Sequence, residues 1–226
     1  MNQLAPSPDL LRSLGRLVRG LSALFWSVPA ALIVCAETAH ANWFKPWGML
    51  PALVATALPL YGLWLLSHFQ KQERPWRDAL HRAALVGLTN LGLSPFLYWH
   101  SQMPNEPFFN AALWLLALSA LLFLFHLNLV LKQLGAMLPD ETLRHETRQF
   151  TLFNRWLLGI LCILAAADAS LSDNTQSFVA TGLVFSRWTD FSFWIFTLLG
   201  LLPLAITMAL IWKTKEIILE SLFGGK

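Results

Sequence analysis

Charge is what this sequence has least of. Asp, Glu, Lys and Arg supply 13% of its 226 residues, about half the share usual in soluble domains. Cysteine is nearly absent. Cys35 and Cys162 both lie inside apolar runs, where they read as small packing residues, not as a disulfide framework or a metal pair. No Gly-x-Ser-x-Gly elbow and no His-Glu-x-x-His zinc helix occurs, so two common hydrolytic chemistries lack their residues. Enzymatic activity is not expected. The period-2 alternation of a membrane barrel strand is missing too.

What is present is apolar. Hydrophobic residues make up 56% of the chain, more than a soluble core of this size can hide. They come in blocks near the roughly 20 residues a helix needs to cross a bilayer. The blocks cover about 20–39, 48–69, 83–99, 111–131, 156–171 and 191–212. Each is read as a helix, because a lone segment in lipid satisfies its backbone only that way. The expectation is an all-α, polytopic integral membrane protein: one domain over 1–226, a six-helix transmembrane bundle preceded by an N-terminal interfacial helix over 1–19. In that leading stretch Ser7 caps, Pro8 opens the first turn and Asp9 suits the helix dipole. Arg12, Arg16 and Arg19 share one face, as in a basic interfacial helix.

Lysine and arginine set the orientation. Arg12, Arg16 and Arg19 precede the first block. Lys71, Arg74, Arg77 and Arg82 lie between the second and third, and Lys132, Arg144, Arg148 and Arg155 between the fourth and fifth. Lys213, Lys215 and Lys226 follow the sixth. With six alternating spans all of these fall on one side, leaving only Lys45 and Arg187 on the other. Both termini are then cytoplasmic, in the cell membrane (the inner membrane, if the source is bacterial). Aromatic residues agree: Trp43, Phe44, Trp47, Tyr98, Trp99, Trp188 and Phe191 fall at outer ends, and Trp76, Trp156 and Trp212 at inner ends. An alternative start exists. Three arginines, an apolar run and the Ala39–Ala41 "AHA" imitate a secretory signal, and cleavage there leaves five spans.

Polar residues inside apolar context carry the functional reading. In "ILCILAAADASL" Asp168 follows eight apolar residues. Thirteen residues beyond Arg155 it sits about 20 Å up the fifth span. Glu37 and His40 end the first span and His100 ends the third, so an acidic, histidine-containing rim forms at the outer side. The candidate ligand-binding residues are Glu37, His40, His100 and Asp168, with Trp43, Trp47 and Trp99 stacking on the guest. The layout resembles that of the substrate-binding subunits of vitamin-uptake transporters, which implies small-solute or ion binding and transport. The fragment "NWFKPWGMLP", with Asn90 and Pro95, is also similar over a few residues to the tryptophan-rich sensory/translocator family.

Two other readings compete. A structural or assembly subunit of a membrane complex would dock through the inner loop 133–155, where Asp140/Arg144 and Glu141/His145 are spaced i, i+4. A haem-binding electron carrier would use His68 and His126 as axial ligands. No cofactor is expected under the main reading, and the metal content is left open. The bilayer is the principal partner and no nucleic acid is expected. Asn90, His126 and Asn128 are read as bridges between helices. Pro29, Pro59, Pro95 and Pro203 interrupt four spans. The outer segment 172–190 is too short in apolar residues to span.

Overall fold

A computed structural model describes residues 8–40, 44–69, 72–104, 106–137, 145, 148–161, 163 and 201–220. Every described element is helical, and no strand occurs among these residues. The order is α1 (Pro8–His40), a single 3-10 turn (Lys45–Trp47), α2 (Leu50–Leu66), α3 (Arg74–Leu93), α4 (Pro95–Gln102) and α5 (Pro107–Met137). Residues 148–161 and 201–220 are helical as well.

Two stretches are long and apolar enough to cross a membrane, Arg12–Ala39 and Pro107–Met137. They match the first and fourth apolar blocks. The second block forms α2, an apolar helix of 17 residues. The third is split between α3 and α4, and α3 opens with Arg74, Arg77, Asp78, His81 and Arg82. Of the fifth and sixth blocks, residues 162, 164–171 and 191–200 lie outside the described residues. The N-terminal stretch differs from expectation. Pro8–His40 is one uninterrupted helix of 33 residues, with no break between a surface piece and a span. Leu17 and Leu21 are fully buried in the main core, so this part of α1 already belongs to the bundle while Arg12, Arg16 and Arg19 stay exposed.

Proline explains the one clean break. Pro95 has no N–H to give the carbonyl of Leu91. The Ser94 hydroxyl donates to that carbonyl instead, at 2.9 Å, while the Ser94 N–H bonds Asn90 O at 2.9 Å. The chain passes from α3 to α4 with its backbone groups served. Pro29 and Pro59 sit inside continuous helices.

Helix α1 packs mainly on α2, and α3 mainly on α5. The pairs are antiparallel, since Gly20 meets Gly62 in the first and Asn90 meets Ser119 in the second. Glycine is required where α1 and α2 cross. A Cβ on Gly62 would stand 2.8 Å from Leu24 Cγ, and one on Gly20 would stand 3.1 Å from the Gly62 carbonyl oxygen. Absent side chains let the backbones approach, as small residues do between membrane helices.

Two cores result. The larger joins the start of α1 (Leu17, Leu21, Leu24), the end of α2 (Leu63, Leu66), the start of α3 (Trp76, Leu80, Ala83) and the end of α5 (Leu127, Leu131, Leu134) with Ile211 and Ile218. The smaller, at the opposite end, is Ala52, Leu97 and Leu116 with Cys35, Ala39, Leu93 and Leu113 packed on it. Trp76 corrects the aromatic-belt expectation. It is 1% exposed, and its indole N–H donates to Phe69 O at 3.0 Å, closing the α2–α3 turn from within. Trp156 and Trp212 remain exposed, and Lys215 Nζ lies 5.4 Å from the Trp212 ring centre.

Candidate functional site

Between the two cores the helices leave a cavity of about 330 Å³. Its position follows from residue size. On α1 the lining residues are Val28, Ala31, Leu32, Cys35, Ala36 and Ala39, which repeat at the spacing of one helical face. On α5 they are Leu113, Leu116, Ala117, Ala120, Phe123 and Leu124. Alanine and glycine stand where leucine would close the gap, and Gly87 of α3 and Leu204 complete the wall. The volume falls within the range of small-molecule sites, roughly 300–1,000 Å³.

Among the described residues the wall carries two oxygen- or nitrogen-bearing polar side chains, Thr56 and Asn90, both buried, and the free thiol of Cys35. Thr56 and Asn90 belong to a network that ties three helices. Thr56 Oγ1 donates to Ala52 O at 2.8 Å and lies 3.3 Å from Ser94 Oγ. Ser119 donates to Asn90 Oδ1, or back to Leu116 O at 3.0 Å. The Asn90 reading as a helix bridge is therefore met: it links α3 to α5.

A second buried network lies nearer the larger core. Thr207 Oγ1 accepts from Asn128 Nδ2 at 2.9 Å and from Asn154 Nδ2 at 3.3 Å, and donates to Pro203 O at 2.7 Å. Three helical segments meet at one hydroxyl. The amide oxygens of Asn128 and Asn154 are buried and have no donor among the described residues.

The residues singled out from sequence sit elsewhere. Glu37 is exposed on α1, on a different face from Cys35 and Ala39. His100 lies on α4, its Nδ1 buried with no partner among the described residues. Trp47 and Trp99 are exposed. The antiparallel course of the helices puts Glu37, Trp47, Trp99 and His100 at the same end of the molecule, that of the smaller core, and none of them lines the cavity. His40 ends α1, and its side chain is outside the described set, as are Trp43 and Asp168. Of the suggested haem ligands, His68 Nδ1 bonds Trp64 O at 2.9 Å on α2, and His126 stands edge-on to Phe125 on α5. The main packing partners of α2 are α1 and α3, and α5 packs chiefly on α3. No group of three or more His, Cys, Asp or Glu able to hold a metal occurs among the described residues.

Sequence reasoning looked for charge and missed the cavity. The signal available was the recurrence of small residues on single faces of α1 and α5. No family model, no curated protein and no solved structure matches the chain.

Proposed function

We propose that the chain is an integral membrane protein that crosses the bilayer six times, with both termini cytoplasmic, and that it binds a small, predominantly apolar solute inside the bundle as a binding or transport protein. The cavity between the two cores is the observation that carries this reading. Two helices long and apolar enough to span support membrane residence. The exposed arginines at the larger-core end, Arg12, Arg16, Arg19, Arg74, Arg77 and Arg82, support a cytoplasmic face there. Under this reading Glu37 and His100 form an outer rim beyond the site, and the solute itself meets the apolar wall.

The test uses decane as a probe of the cavity. Decane added to the full chain in detergent is expected to raise the unfolding midpoint by about 2–4 °C, the shift that ~1 kcal/mol of stabilisation gives a chain of this size. Ala117→Phe and, separately, Ala36→Phe fill the space and are expected to abolish the shift. A wild type indifferent to decane, or variants that respond as it does, would overturn the reading. Assembly through 133–155 is the second reading. It is favoured by Phe150, Phe153 and Trp156, which are exposed along one helical segment on the side away from buried Thr151, Asn154 and Leu158. Subunits that remain bound in mild detergent and are lost in Phe153→Ser would support it.

A further inference from the structure

Resting on the cavity reading, we infer that the guest is a neutral amphiphile drawn from the bilayer itself: an apolar body with one hydrogen-bond-accepting group, such as a carbonyl or ether oxygen, which Asn90 holds. Three observations converge on that chemistry.

The first is the absence of charge in the described wall. Among the described residues no Asp, Glu, Lys, Arg or His lines the cavity, so a charged guest would lose its water and find no counter-charge there. The second is the state of the polar wall. The hydroxyls of Thr56 and, behind the wall, Ser94 donate to carbonyls of their own helices, at Ala52 and Leu91, and Ser119 gives its single proton to Asn90 Oδ1 in place of Leu116 O. What is left is the Asn90 amide N–H₂, for which no acceptor appears among the described residues. On a cavity-lining side chain that is 8% exposed, such a donor calls for an acceptor. The guest therefore brings an oxygen to Asn90, not a donor.

The third is the direction of access. Leu97 and Leu116, buried at 4% and 8% exposure, pack with Ala52 into the smaller core and shut the cavity off from the outer end. The larger core shuts the inner end. On the flanks, Leu32, Ala36, Ala117 and Ala120 line the cavity and are exposed. Among the described residues the opening lies sideways, between α1 and α5, at the depth where acyl chains would stand. A molecule already dissolved in the bilayer enters there without crossing either end.

The test compares decane with 2-decanone, which adds one acceptor oxygen to a similar chain. The ratio of the two affinities in wild type is compared with the ratio in Asn90→Leu, so that partition into detergent cancels. The wild-type ratio is expected to favour the ketone about fivefold more than the variant ratio does, the worth of one net hydrogen bond. The carbonyl stretch of bound 2-decanone needs no variant, and should fall below its frequency in detergent alone. Equal ratios with an unshifted stretch would sink the inference while decane binding keeps the cavity reading intact. Stabilisation by glycerol in place of either probe would overturn entry from the bilayer. A chain indifferent to both probes ends the cavity reading and this one with it.

Discussion

Thr207→Val exchanges a hydroxyl for a methyl at nearly constant shape, in a side chain that is 1% exposed. The change removes the acceptor shared by Asn128 Nδ2 and Asn154 Nδ2. Asn128 Nδ2 keeps a second acceptor, Leu124 O at 2.7 Å, so Asn154 bears most of the loss. Leaving a buried donor unmet costs about 1–3 kcal/mol in water-soluble proteins, while interhelical hydrogen bonds in membrane bundles average nearer ~0.6 kcal/mol. One donor stranded and one weakened should therefore cost about 1–3 kcal/mol. Reversible unfolding of the full chain in mixed micelles measures it. The double variant Thr207→Val with Asn154→Leu removes donor and acceptor together, and should be less destabilised than the sum of the single changes by at least ~0.5 kcal/mol, the scale expected of residues in contact. Strict additivity, or a Thr207→Val cost within error of zero, would mean that the three segments are not joined at this hydroxyl.

Two further changes test the packing. Gly62→Ala puts a methyl 2.8 Å from Leu24 Cγ and should destabilise by about 1–3 kcal/mol, whereas Gly15→Ala, with nothing within 4 Å, should stabilise α1 by about 0.5–1 kcal/mol; thermal unfolding of the pair reads the opposite signs. Trp76→Phe keeps most of the buried ring but strands the Phe69 carbonyl, and a loss of about 1–2 kcal/mol is expected, with hydrogen exchange at the α2–α3 turn rising ahead of the rest.

The elements most legible in the sequence were those set by composition alone. The runs that became α1, α2 and α5 announce themselves because consecutive apolar residues need no knowledge of their neighbours. Pro95 was read as an interruption together with Pro29, Pro59 and Pro203, yet Pro29 and Pro59 sit inside continuous helices while α3 ends before Pro95, so a missing N–H does not by itself decide where a helix breaks. The part Ser94 plays was not plain: a serine before a proline reads as ordinary until its hydroxyl is seen on Leu91 O. Trp76 misled for a related reason. An aromatic residue near basic ones resembles a headgroup anchor, and only the packing of α1 and α5 around it turns it inward. Asn90, His126 and Asn128 were read as helix bridges; Asn90 and Asn128 bond across helices, while the buried Nδ1 of His126 has no partner among the described residues. The partners Ser119 and Thr207 went unnamed, because the rotation of each helix decides which residues face one another. The cavity was illegible on the same ground. Ala36, Ala117 and Gly87 are unremarkable singly, and become a void only when three helices turn those faces together.

That void lies along the seam between two tight hairpins. Helices α1 and α2 are clasped at Gly20 and Gly62, α3 and α5 at Asn90 and Ser119, and neither clasp crosses the seam. A slight parting or closing of one hairpin against the other would alter the space inside while both clasps hold. If the proposed guest binds there, swapping alanines along the seam would retune its size without disturbing the leucine-rich floor that sustains the fold.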